Sequence, residues 1–151
     1  MLSFQIPSCE MTLEEGLHEY YRSHANLTTG RGASDSAQKF FRCHDAAHVV
    51  FGCSTTLTNE AMVKIWSFFG TTAGLSLLRD YRSPESQEIY DQIKWSDVLG
   101  TALRSVANIP RVLFRCAQMH KRWPWSDFDR YRSIRLVDIR REYGIRVATV
   151  P

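Results

Sequence analysis

The sequence predicts an all-α fold, a single-domain multi-helix bundle spanning residues 1–151. Three observations carry this. Apolar residues recur mostly at spacings of three and four, the signature of one side of a helix. Helix-start residues and helix-stopping glycines bracket those stretches in turn. No alternating run reaches convincing strand length, and no internal repeat is visible. With 151 residues, 44% of them hydrophobic, the chain suits one compact domain with an ordinary core.

The elements follow in order. Thr12 with Glu15 three residues on forms a capping box, so the spacing predicts a helix over about 13–25. Residues 26–34 are rich in Gly, Thr and Ser and read as a flexible loop. Ser34 or Asp35 caps a second helix that runs to Phe51 and stops at Gly52. Cys53 to Leu57 forms a turn. Thr58 or Asn59 then caps a long helix to about Tyr81, with Met62, Ile65, Phe69, Leu75 and Leu78 as its apolar stripe. Ser83-Pro84-Glu85 starts a helix reaching about Lys94, and Ser96 or Asp97 starts another. Pro110 kinks or divides that one ahead of a segment over 111–122. A short helix follows Ser126, and the last runs from Leu136 to Tyr143, ended by Gly144.

The net charge is only +3, but it is unevenly spread. Residues 1–103 hold 8 basic and 12 acidic side chains, whereas residues 104–151 hold 11 basic and 4 acidic. A basic half suits an anionic partner or a solvated face, and peripheral contact with a membrane surface is the partner expected here, not nucleic acid. The four cysteines, Cys9, Cys43, Cys53 and Cys116, show no CxxC spacing and read as reduced thiols of a cytoplasmic protein. The N-terminus lacks a basic start and apolar run, so no signal peptide is expected. Ala61 to Leu78 is too short and too interrupted by Lys64, Gly and Thr for a membrane span.

The chemistry concentrates in His44-Asp45-Ala46-Ala47-His48, followed after eleven residues by Glu60. On a helix His44, Asp45 and His48 lie at roughly 0°, 100° and 40°. Glu60 falls where a returning helix begins. Phe41 and Phe51 lie on the same face as the histidines. Ionisable groups on an apolar face are costly unless they pair or hold a cation. The set His44, Asp45, His48 and Glu60 therefore reads as the ligands of a divalent metal, zinc above all, which accepts imidazole nitrogen and carboxylate oxygen.

The pattern His-Asp-x-x-His-x11-Glu resembles the signature of the coenzyme Q (ubiquinone) biosynthesis family that contains the fourth Coq protein. Trp123-Pro124-Trp125, Leu136 and Ile139-Arg140-Arg141-Glu142-Tyr143-Gly144-Ile145 resemble that family's closing motifs, in the family's order. The region ahead of the metal motif is compressed to about forty residues, and 80–122 matches loosely. The resemblance implies an α-helical zinc protein that handles a prenylated quinone precursor and supports the ubiquinone-biosynthesis complex. It also implies action at C1 of a prenylated hydroxybenzoate, by decarboxylation and hydroxylation, as a zinc-dependent lyase. A location peripheral to the inner membrane face goes with it.

Phe40, Phe41, Ile65, Trp66 and Phe69, with Phe68, Leu75 and Leu78, are candidates for an isoprenoid slot; the alternative is plain bundle core. A carboxylate of the set acting off the metal as a base is equally consistent with the spacing. Two other classes compete. One is a non-catalytic scaffold or prenyl-lipid-binding protein, or a homo-oligomer, with a structural metal. The other is a metal-dependent hydrolase, which lacks the further His and Asp that His-Asp phosphohydrolases need.

Overall fold

The computed structural model describes residues 1–24, 34–77 and 108–147. Among these the fold is all-α: helices and 3-10 turns, joined by two isolated β-bridges and no strand. Helix α1, Leu13–Ser23, opens on the capping box its sequence predicts. Thr12 accepts from the Glu15 amide, and the Glu15 carboxylate returns to the Thr12 amide at 2.7 Å. It closes at His24, slightly earlier than expected. The expected loop 26–34 falls outside the described residues except for Ser34.

Ser34 caps α2, Asp35–Phe51, through the Ala37 amide, and Gly52 ends it in the left-handed region at φ 71°. Both boundaries are those the sequence predicts. A side chain at 52 would be strained twice, because a Cβ there would also lie 2.9 Å from the Val147 Cβ.

Helix α3, Leu57–Phe69, departs from expectation at both ends. Thr56, not Thr58 or Asn59, is the cap, accepting from the Asn59 amide. The helix stops at Phe69 rather than near Tyr81. The Gly70 amide closes the last turn on the Trp66 carbonyl at 2.7 Å, and the chain then leaves sideways. Trp123 donates to the Gly70 carbonyl at 2.8 Å, and Thr72 donates to the Trp123 carbonyl at 2.9 Å. A distant segment thus captures the backbone groups that a longer helix would need for itself. Leu75 lies in a 3-10 turn, Gly74–Ser76, and is 71% exposed.

The helices expected over 84–94 and from 97 onward lie outside the described residues up to 107. Residues 108–117 form α4 with Pro110 inside it, and this helix ends before the expected 122. A 3-10 stretch, Trp125–Tyr131, and α5, Leu136–Tyr143, complete the described chain, with Gly144 as the left-handed cap of α5.

The core lies between α1, α2, α3 and α5. Gly16 lets α1 approach α2 closely, since a Cβ there would meet the Val49 Cγ1 at 2.6 Å. Phe51 and Trp66 stack at 4.5 Å and join α2 to α3. Phe4, Leu13, Leu136 and Ile139 are fully buried around them. Arg140 enters the same core. Its guanidinium donates to the carbonyls of Phe4, Ile6, Val49 and Val50, tying the N-terminal turn to the end of α2. Two arginines of the basic second half also pair with acids of the first: Arg132 with Glu14 and, at the surface, Arg135 with Glu10. No helix among the described residues is long and apolar enough to cross a membrane.

Candidate metal centre

Helix periodicity and one tight turn assemble the centre. His44 and His48 are one turn apart on α2, and Glu60 sits in the first turn of α3, which the Gly52 cap sends back beside α2. His48 is fully buried, whereas the His44 side chain keeps 13% and that of Glu60 30% of its exposure, so solvent reaches one side of the cluster.

The distances are those of a ligand set. His44 Nε2 and His48 Nε2 are 3.2 Å apart. Glu60 Oε1 lies 3.1 Å from His48 Nε2, and Glu60 Oε2 lies 3.4 Å from His44 Nε2. With one donor atom taken per residue, all three lie within 4.8 Å of one another. Donors bonded to a tetrahedral zinc at about 2.0–2.1 Å stand about 3.3–3.4 Å apart, so little movement is needed to close them on an ion.

The protonation pattern points the same way. His48 Nδ1 contacts the Cys53 carbonyl at 3.2 Å. A carbonyl only accepts, so Nδ1 carries a proton and Nε2 is the nitrogen that faces the cluster. Burial lowers the His44 pKa; the neighbouring His48 adds to this and Glu60 opposes it. Burial by itself would raise the Glu60 pKa, but contacts from His44 and His48 outweigh it, and the carboxyl is held well below its usual range. Those contacts place ring protons between the nitrogens and the carboxylate, and a divalent cation could take the place of the protons at the same donor atoms. The donor set fits a divalent metal of the zinc type, with the Cys53 carbonyl behind His48 in its outer shell.

The fourth residue of the motif goes elsewhere. Asp45 is offset by one helical residue, which turns it toward α1, and its Oδ2 accepts from the Tyr21 hydroxyl at 3.0 Å. Burial raises its pKa to about 6, against the lowering effect of His48 and Tyr21. Three of the four residues are thus brought together, with Asp45 beside them.

The slot candidates divide among different surroundings. Phe40 is buried and stacks on His44 at 6.0 Å, while Trp66 is sealed in the core with an indole N–H that has no hydrogen-bond partner among the described residues. Phe41, Ile65 and Phe68 are partly buried against the core, and Phe69 is 50% exposed. Leu78 lies outside the described residues.

Two neighbours of the centre escaped the sequence reading. Lys64 lies one turn beyond Glu60 on α3, half-buried, its pKa lowered by burial and raised in part by Glu60. Its i+4 spacing from Glu60 was the available signal. Tyr21 had none, because 24 residues separate it from Asp45. No family model, no curated protein and no solved structure matches the chain.

Proposed function

We propose that the chain is a zinc-type metalloprotein that acts at C1 of a prenylated hydroxybenzoate, the reaction attributed to the ubiquinone-biosynthesis family its motifs resemble. One observation carries the metal part: one donor atom from each of His44, His48 and Glu60 lies within 4.8 Å of the others. The motif spacing and the closing segment from Trp123 to Ile145 support the quinone context.

His44, His48 and Glu60 would hold the ion, and a bound ion would supply Lewis acidity toward a carboxylate or phenolate oxygen. Three protein ligands are the usual complement of a catalytic zinc, which keeps a further position for water or substrate; a structural site has four. The partial exposure of His44 and Glu60 supports an entrance on that side. The half-buried Lys64 places positive charge near Glu60 and His44, which favours an anionic group on the incoming molecule. Cys53 holds the His48 ring in its metal-ready orientation through its carbonyl. Phe40 gives His44 an apolar backing of the kind a prenylated ring would meet.

The test is bound metal by elemental analysis in the native chain and in His48→Ala, followed by product detection from a prenylated hydroxybenzoate. Near-stoichiometric zinc in the first and its loss in the second are expected. Equal sub-stoichiometric metal in both would overturn the metal centre. Stoichiometric metal with no turnover would favour the scaffold reading, with the metal structural.

A further inference from the structure

We propose that Tyr21 is a positioning residue that holds Asp45 off the metal and so keeps a coordination position open. This rests on the metal reading of His44, His48 and Glu60. Asp45 directly follows His44, yet its carboxylate is engaged by a different helix.

The hold is built from several contacts. The 3.0 Å bond from the Tyr21 hydroxyl to Asp45 is charge-assisted when the carboxyl is ionised. Tyr21 is itself fixed: its ring meets Tyr20 edge-on at 5.7 Å, and Tyr20 lies against the His48 ring at 5.2 Å. The close approach of α1 to α2 at Gly16 and Val49 leaves α1 little freedom to withdraw the phenol. Helix α1 therefore restrains the neighbour of the histidines that α2 presents.

The consequence is a matter of coordination number and charge. Two neutral imidazoles and one carboxylate leave a divalent ion with a formal charge of about +1 and a vacant position. A second carboxylate from Asp45 would bring the centre to neutrality and fill the shell, the pattern of a closed structural site. With Asp45 held on Tyr21, the open position keeps its attraction for an anionic oxygen.

The experiment uses the full chain loaded with Co²⁺, whose visible spectrum reports coordination. Co²⁺ affinity is read by chelator competition and the open position by azide titration. The wild type and Asp45→Asn are expected to take azide and to agree in Co²⁺ affinity within about twofold. Tyr21→Phe removes the 3.0 Å contact and leaves Asp45 only its weaker contact with Tyr20, so Co²⁺ should bind tighter and azide weaker, each by up to about tenfold, the scale of outer-shell effects. Tyr21→Phe with Asp45→Asn should return both values to wild type. A tenfold or larger loss of Co²⁺ in Asp45→Asn alone would overturn the inference, since Asp45 would then be a ligand already. So would a Tyr21→Phe chain indistinguishable from wild type. If Tyr21→Phe does not fold, Asp45→Asn decides. Failure of the wild type to bind Co²⁺ at all would instead remove the metal reading beneath it.

Discussion

His44 and His48 share a residue type and a helix face but meet different surroundings. His48 has one ring nitrogen committed to the Cys53 carbonyl and no exposure, so its other nitrogen has a single direction to face. His44 stands nearer solvent and stacks on Phe40. Burial, with help from His48, lowers the His44 pKa below that of a free imidazole. A ligand must be deprotonated to bind, so the sign follows: the lowered pKa leaves more of His44 available at about pH 6.5, where an ordinary histidine is half protonated. Zinc retention, followed by dialysis against buffers of decreasing pH, should persist at neutral pH and be lost on acidification. A release midpoint above pH 7 would contradict this account of His44.

At the scale of elements, the ends of helices decide where the centre forms. The Gly52 cap turns the chain at the end of α2 so that Glu60 returns beside the histidines within one short connection. Arg140 of α5 secures that end from behind, with four carbonyls from two segments on one guanidinium. Burial pushes its pKa down to about 10, so it stays charged at neutral pH and complements the negative end of α2. Arg140→Met should leave the Phe4 and Val50 carbonyls without this donor, whereas those of Ile6 and Val49 keep the Cys9 and Gly52 amides, at about 1–3 kcal/mol for each that stays dry. The expected loss in urea unfolding is about 3 kcal/mol or more, with Arg140→Lys between that variant and the wild type. A loss under about 1 kcal/mol for Arg140→Met would mean that water or repacking satisfies the site.

For the whole molecule, the cluster couples folding to the ion. Residues 16 apart in sequence meet only in the folded chain, so a metal that bridges His44 and Glu60 stabilises the native state over the unfolded one. Free zinc at one hundred times its dissociation constant should add about 2.7 kcal/mol. For a domain of this size that corresponds to a rise in Tm of about 5–10 °C. Calorimetry with and without a chelator checks it, and His48→Ala should lose the zinc-dependent shift. A wild-type Tm indifferent to zinc would place the ion elsewhere or nowhere. The exposed charges act on a smaller scale: pairs such as Lys121–Glu142 and Arg135–Glu10 are solvated and each contributes little.

Local signals were legible where the physics is local. The Thr12–Glu15 box, the Ser34 and Gly52 boundaries of α2 and the Leu136–Tyr143 helix depend on residues a few positions apart, and the sequence alone determined them. The convergence of His44, His48 and Glu60 was also readable, because one helical turn and one short connection relate all three. The end of α3 was not, since it depends on Trp123 taking the Gly70 carbonyl across more than fifty residues. Asp45 turned on the same distinction. Its place in the motif is local and suggests a ligand, whereas its partner Tyr21 comes from another helix. Tertiary packing alone decided that contact, because a hydrogen bond between helices has no period in the sequence that could announce it.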